Sequence, residues 1–229
     1  MAVSFSSFVD CAERTYLRPE HQYPWDDIVR GTLGFNQRGK EVSIIAVGSN
    51  TFRGFHRLDK SAEGPKETFL KYFVSEKQRL LAELGKIKKP EALHQLSNRI
   101  REALVQKLGN IQPEQLRSFN KVRKPVDLYL EHLVSMAKEL EPLRPTLVPL
   151  LFVPLDSWIL NHQLVFSEAE LIGMGLSRGL SYGDITEESN YLALQRMAQA
   201  KARILTAKLK TPFHPIYYDL FWNNRFMNP

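Results

Sequence analysis

The sequence predicts an α+β fold, in which one helix-rich domain of residues 1–229 surrounds a small mixed sheet. Apolar residues recur at helical spacing through the middle third of the chain and again over residues 191–210. The β-branched run of residues 41–47 lies between glycines and is typical of a strand. The apolar run of residues 147–153 is typical of a strand covered on both faces, although Pro149 favours an edge position or a bulge.

The first sixty residues are predicted to contain a helix and a hairpin. Residues 4–14 carry apolar side chains on one side and predict a short helix. Residues 36–39 are typical of a turn, so residues 32–35 should pair with residues 41–47 as a hairpin. Residues 51–57 are a candidate third strand.

Prolines and glycines divide the middle of the chain into predicted helices. One follows residues 64–65 and ends at Gly85, and the next begins near Pro90. A later helix should begin at Pro125, because the missing N–H of proline is no loss in a first turn. The buried face of that later helix is predicted to consist of Val126, Leu130, Leu133, Ala137 and Leu140.

The C-terminal part of the chain predicts a capped helix, a loop, a long helix and a packed tail. Ser167 and Glu170 have the spacing of a capping box. The glycines of residues 173–183 favour a loop, and residues 191–210 form the clearest predicted helix. The aromatic residues of 213–222 should pack back onto the body of the protein.

Composition narrows the class of protein without identifying it. The single cysteine, Cys11, excludes an intrachain disulfide and fits a cytoplasmic protein. No run of about 18 apolar residues predicts a transmembrane helix, and the N terminus does not have the form of a signal peptide. The net charge of +6 favours a polyanionic partner.

The distribution of charge is more informative than the total. Residues 86–124 hold ten Lys or Arg against three acids, residues 127–188 hold ten acids against three bases, and six bases follow against one acid. Basic flanks that hold a phosphate backbone and a central acidic part that holds a divalent cation would suit a phosphodiester-cutting enzyme. The alternative is that the solvated faces of the helices simply differ in charge.

Three carboxylates in the central part are candidate metal ligands. Asp127 and Glu131 lie one helical turn apart, and Asp156 follows the apolar run, where ligand-binding groups of α/β sheets gather. Mg²⁺ is the cation that such a set would hold, with Lys124 at the attacked phosphate. Lys124 or a neighbouring cation could equally neutralise the helical pair. Restriction-type nucleases also carry an acid two positions before a lysine, and no lysine here has one; Glu170 has a simpler role in the capping box.

Six cations are candidate nucleic-acid contacts. Phenylalanines alternate with cations in residues 35–57, as in surfaces that stack bases, although the rings could instead be core and the cations solvated. On the long C-terminal helix a row of cations seven residues apart could follow a phosphate backbone or form a solvated face. The candidates are Arg38, Arg53, Arg57, Arg196, Arg203 and Lys210.

Several other chemistries lack their motifs. The sequence contains no phosphate-binding loop, no nucleophile elbow and no histidine pair with zinc-site spacing. His214 with Asp219 is a candidate base and carboxylate, and His132 lies next to Glu131.

The leading hypothesis is a Mg²⁺-dependent endonuclease of double-stranded DNA, most concretely a type II restriction-like enzyme. Its expected partner is DNA, with RNA as the alternative; no membrane partner is expected, and a homodimer is left open. The first rival is a non-catalytic nucleic-acid-binding protein, such as a nucleoprotein or accessory factor. The second is a protein–protein assembly module whose aromatic tail docks on a partner.

Overall fold

Helices dominate the described part of the chain. A computed structural model describes residues 5–31, 33–35, 41–43 and 46–227, and of residues 33–35, 41–43 and 222–227 it describes the backbone only. The α-helices are α1 Phe5–Tyr16, α2 Trp25–Arg30, α3 Pro65–Ser75, α4 Lys77–Leu84, α5 Pro90–Lys107, α6 Pro113–Leu116, α7 Phe119–Met136, α8 Arg144–Leu147, α9 Ser157–Asn161, α10 Glu168–Gly173 and α11 Glu188–Leu209. Shorter 3₁₀ segments are Ser49–Phe52, Lys138–Leu143, Val148–Leu150 and Tyr182–Asp184, and Pro215–Met227 is a longer one.

The predicted α+β fold is wrong, because the structure is 67% helical and its described residues form no mixed sheet. Residues 147–153 are not a strand: α8 passes into the 3₁₀ turn Val148–Leu150 and then into extended chain. Pro145 and Pro149 fit these helical first turns, whereas a proline in a central strand would remove a ladder hydrogen bond.

The apolar run is buried as expected, but a side chain replaces the neighbouring strand. The Gln195 side chain of α11 accepts a hydrogen bond from the Val153 N–H at 3.0 Å and donates one to the Val153 carbonyl at 2.7 Å. Buried backbone groups need such partners, and one amide side chain supplies both. A sheet is therefore not required to bury this segment.

The strand pairing that the structure describes is a short hairpin. β1 Leu33–Phe35 pairs antiparallel with β2 Glu41–Ser43, with Gly34 opposite Val42. This confirms the predicted pairing. Residues 51–57 are not a third strand, since they begin in a 3₁₀ turn and make a single bridge from Arg57 to Ile111.

Helix α7 is the centre of the fold. Thirteen of its eighteen residues are buried, and α1, α2, α5 and α11 pack against it. A helix buried on nearly all sides has its stability set by packing rather than by propensity. It begins at Phe119, six residues before the predicted start, and Pro125 lies inside it. The predicted apolar residues from Val126 to Leu140 are all buried. Ala137 and Leu140 were predicted to lie on this helix, but they follow its last residue, Met136.

A buried arginine stabilises the C-terminal end of α7. The Arg144 guanidinium donates to the carbonyls of Val134 and Ala137, both at 3.1 Å. The last carbonyls of a helix have no partner within the helix, so these bonds satisfy groups that would otherwise be buried alone. Tyr23 also bridges this end through its backbone N–H to the Met136 carbonyl at 3.0 Å.

We expect Arg144→Met to lower the free energy of unfolding by roughly 2 kcal/mol, because two buried carbonyls lose a charged donor. Urea denaturation followed by circular dichroism measures this. Arg117→Met is the control, since Arg117 is exposed and should change stability by only a few tenths of a kcal/mol. Equal effects of the two variants would contradict the capping role.

The predictions for the C-terminal part of the chain are confirmed. Ser167 and Glu170 form a capping box at the start of α10, and α11 covers nearly all of the predicted long helix. The aromatic tail packs onto α1: the ring centroids of Phe8 and Phe221 lie 4.9 Å apart, and Tyr16 stacks on Tyr217 at 5.8 Å. In the described residues no helix combines the length and the apolar character needed to cross a bilayer.

A candidate active-site cleft along helix α7

One face of α7 forms the floor of a cleft of about 610 Å³. Its lining residues recur at intervals of three and four, which places them in one row along the helix. They are Lys124, Leu128, Glu131, His132, Ser135 and Met136. The volume lies within the range of small-molecule and substrate sites.

The other walls of the cleft come from five other parts of the chain. Thr15 and Tyr16 end α1, residues 46–51 form a loop with a 3₁₀ turn, and Asp156 with Ser157 begins α9. The remaining two lining residues are Tyr182, from the 3₁₀ turn after the glycine-rich loop, and Asp219, from the aromatic tail. The cleft therefore forms only when the N-terminal helix packs onto α7 and the C-terminal tail packs onto the N-terminal helix.

Three of the four predicted catalytic residues line the cleft. They are Lys124, Glu131 and Asp156, while Asp127 is not among the lining residues. Sequence reasoning missed Tyr16, Ser135 and Tyr182, and it considered Asp219 only as a partner of His214. Ser135 could have been found from its position eleven residues after Lys124 on the same helical row, whereas the others carry no local signal.

Lys124 and Asp156 form the polar centre of the cleft. The Lys124 ammonium lies 4.0 Å from Asp156 Oδ2, and both side chains are nearly buried. Burial lowers the pKa of Lys124, while the Asp156 and Asp219 carboxylates oppose that change. Asp156 Oδ1 also accepts a hydrogen bond from the Ile159 N–H at 2.9 Å, so the carboxylate caps α9 and is held in position.

Farther along the helix, Glu131 and Ser135 supply polar groups to the same cleft. The Tyr16 hydroxyl donates to Glu131 Oε1 at 3.3 Å, which ties the carboxylate to α1. The Ser135 hydroxyl is buried and bonds to no group in the described part of the chain. Buried hydroxyls are normally bonded, so Ser135 is a group that a ligand in the cleft could contact.

Asp127 belongs to a separate buried network next to the cleft-lining row of α7. Its Oδ1 accepts from Arg123 Nε at 2.7 Å and its Oδ2 accepts from the Tyr191 hydroxyl at 2.7 Å. Arg123 Nη1 also donates to Asn98 Oδ1 at 2.7 Å. Burial raises the pKa of Asp127, and the bonds from Arg123 and Tyr191 oppose that change. This network joins α5, α7 and α11.

Three histidines in packed environments have lowered pKa values. Burial and the charge of Arg123 lower the pKa of His94, against the opposing effect of Glu188 at 2.7 Å from His94 Nε2. Burial lowers the pKa of His162 and His214. The folded protein therefore keeps these rings neutral at pH values where the unfolded chain already binds protons.

We expect the free energy of unfolding to be nearly constant above pH 7 and to fall as the pH drops from the ordinary histidine pKa of 6.5 towards about 5, since unfolding then takes up protons. Urea denaturation at a series of pH values measures this. His162→Gln should flatten the decline, whereas His21→Gln, at an exposed position, should leave it unchanged. An unchanged stability between pH 7 and 5 would contradict the expectation.

The predicted nucleic-acid contacts are mostly exposed, but the rings beside them are not. Arg53, Arg57, Arg196, Arg203 and Lys210 are exposed, whereas Arg38 lies outside the described residues. Phe52 and Phe55 are buried against Phe69, at centroid distances of 5.2 and 6.5 Å. The alternative of core rings with solvated cations is therefore correct for these two phenylalanines.

The described residues do not contain a ready-made metal cage, because no three His, Cys, Asp or Glu side chains among them are grouped to hold an ion. Mg²⁺ can nevertheless be bound by one or two carboxylates together with water and substrate phosphate. Glu131 and Asp156 in the cleft suit that smaller set, and Asp127 is already bonded through both oxygens.

Comparisons of the chain with models of protein families, with curated proteins and with solved structures find no match. The chemistry of the cleft is therefore the basis for a functional proposal.

Proposed function

We propose that the protein is a Mg²⁺-dependent endonuclease that hydrolyses double-stranded DNA in the cleft along α7. The observation that supports this is the 4.0 Å approach of Lys124 to Asp156 in one large cleft that Glu131 also lines. Residues far apart in the sequence supply these groups. Carboxylates can hold a divalent cation for phosphodiester hydrolysis, and a lysine can neutralise charge on the phosphate.

The charge of the cleft favours a cation at its carboxylates. Among the described lining residues, Glu131, Asp156 and Asp219 face a single lysine. A phosphodiester would be repelled by three carboxylates unless a divalent cation neutralised part of their charge. Bound Mg²⁺ would supply that neutralisation and would make water a better nucleophile.

The side chains of the chain itself would then have separate roles. Asp156 and Glu131 would bind the cation, and their positions are set by the α9 cap and by Tyr16. Lys124 would neutralise the attacked phosphate, and its burial strengthens that interaction because water screens it less. The exposed cations Arg53 and Arg57, which follow the cleft-lining loop, would contact the duplex backbone.

The rival function is nucleic-acid binding without catalysis. The lack of a three-ligand metal group among the described residues favours it. It requires exposed cations, which the chain has, and it does not require the acidic groups of the cleft.

The test is incubation of the purified protein with long duplex DNA, with Mg²⁺ or with EDTA, followed by gel electrophoresis. Fragments that appear only with Mg²⁺ would support the nuclease. Intact DNA that is retarded at low salt and released at high salt would exclude the nuclease and support the non-catalytic binding function. Intact and unshifted DNA would exclude both.

A further inference from the structure

Two lysines of α7 lie against one tyrosine ring at the cleft. The Lys124 ammonium is 5.0 Å from the centroid of the Tyr182 ring, and the Lys121 ammonium is 5.7 Å from the same centroid. Residues three apart share a helix face, so Lys121 extends the cleft-lining row of α7 by one turn towards its N terminus. The ring of Tyr182 itself lines the cleft.

Aromatic rings rather than a carboxylate hold Lys121. Its ammonium also lies 5.7 Å from the centroid of the buried Phe55 ring. No Asp or Glu of the described residues forms an ion pair with it, and burial alone lowers its pKa. A partly buried ammonium without a counter-ion keeps an uncompensated desolvation penalty, which a bound anion would reduce.

Gly54 makes this close arrangement possible. A Cβ atom at position 54 would lie 2.3 Å from the Tyr182 hydroxyl and 3.1 Å from the Lys121 ammonium. The absence of a side chain therefore lets the tyrosine and the lysine approach the backbone of the loop that walls the cleft. Any larger residue would displace the end of one of these side chains.

We propose that Lys121 and Tyr182, next to Lys124, form a second phosphate subsite, which holds the backbone phosphate adjacent to the one that is attacked. This rests on the proposed nuclease function. Lys124 is next to Asp156 and faces the attacked phosphate, while Lys121 lies one turn farther from Glu131 and contacts the neighbouring phosphate. Glu131 is about 10 Å along the helix from Lys124, at 1.5 Å per residue. In this arrangement the DNA strand runs from the attacked phosphate at Lys124 to the next phosphate at Lys121. The substrate is then a continuous strand with at least two phosphates rather than a lone phosphate ester.

The test measures binding without cleavage. A fluorescent duplex is titrated with Ca²⁺ in place of Mg²⁺, so that a divalent cation still neutralises the carboxylates, and a gel checks that the duplex stays intact. Anisotropy over a series of salt concentrations gives the affinity. We expect Lys121→Gln to weaken binding about 10-fold at low salt and to reduce the slope of log affinity against log salt by about 0.9, which corresponds to one lost phosphate contact. Lys107→Gln, which removes an exposed lysine from α5, is the matched control and should leave both values unchanged.

A second variant tests the geometry of the subsite without removing the charge of Lys121. Gly54→Ala keeps both lysines and displaces the Tyr182 hydroxyl, so the affinity should fall several-fold while the salt slope stays near that of the wild type. Because the Tyr182 hydroxyl is the end of a flexible side chain, the variant should fold, and circular dichroism checks this.

The outcomes distinguish this subsite from the function on which it rests. Wild-type affinity and salt slope in both Lys121→Gln and Gly54→Ala would overturn the proposed subsite. Mg²⁺-dependent cleavage by the wild type would in that case still support the nuclease function. A Lys121→Gln variant that melts at a lower temperature but keeps the wild-type salt slope would show a structural role for Lys121 and would also overturn it. A wild-type protein that binds no duplex would overturn both proposals.

Discussion

Asp156→Asn should lower Mg²⁺-dependent cleavage of duplex DNA by about 100-fold or more, because the amide cannot replace a carboxylate in binding and neutralising a divalent cation. Asparagine is as good a helix N-cap as aspartate, so the hydrogen bond from the Ile159 N–H should persist. The variant therefore removes the charge of Asp156 without removing its structural role. Initial rates of cleavage and the melting temperature are measured on the same preparation.

Asp127→Asn is the matched control for this prediction, since the sequence alone gives both aspartates the same role. Asp127 lies outside the cleft, so the folded fraction of Asp127→Asn should cleave at a rate close to that of the wild type. Cleavage by Asp156→Asn at the wild-type rate would remove the cleft as the active site. Loss of cleavage only in Asp127→Asn would show that Asp127, and not Asp156, is the catalytic carboxylate.

Asp127→Ala should lower the free energy of unfolding by about 3–5 kcal/mol, because it leaves the guanidinium of Arg123 buried without its charge partner. Both side chains of this pair are almost fully inaccessible. The Tyr191 hydroxyl loses its acceptor in the same substitution. Urea denaturation gives the change, and the slope of the transition shows whether the unfolding remains two-state.

The double variant Arg123→Met with Asp127→Leu tests whether the loss comes from the unpaired charge. Replacing both partners with apolar residues of similar size removes the desolvation penalty, so the double variant should be more stable than Asp127→Ala. This reason would be contradicted if the double variant lost more free energy of unfolding than Arg123→Met and Asp127→Leu lose in sum. Glu114→Ala, on the exposed surface of α6, should be near neutral and serves as the control.

Local sequence patterns predicted much of the secondary structure, because periodicity and capping act within a few residues. The apolar face from Val126 to Leu140 is buried, and the Ser167 capping box and the hairpin are present. The start of α7 could not be predicted from Pro125, since its burial on nearly all sides stabilises the helix across the proline.

The candidate site was predicted in part. Lys124 and Glu131 lie on one row of α7, and Asp156 reaches the same cleft. Asp127 was assigned to that group because residues four apart share a face, but a 40° difference around the helix turns it towards Tyr191 and Arg123. Helical spacing specifies the direction of a side chain only approximately, and the neighbouring helix determines which group that side chain bonds to.

By itself, the sequence determined the long helices, most of the buried apolar residues, and the positions of the hairpin and the capping box. Only the tertiary structure decided that residues 147–153 are not a strand, because the Gln195 side chain satisfies the Val153 backbone in place of a sheet. It also decided that Asp219 and Tyr182 join Lys124 in one cleft. Periodicity records only which face of a segment is apolar. The partner of that face depends on packing between residues far apart in the chain, which no local pattern contains.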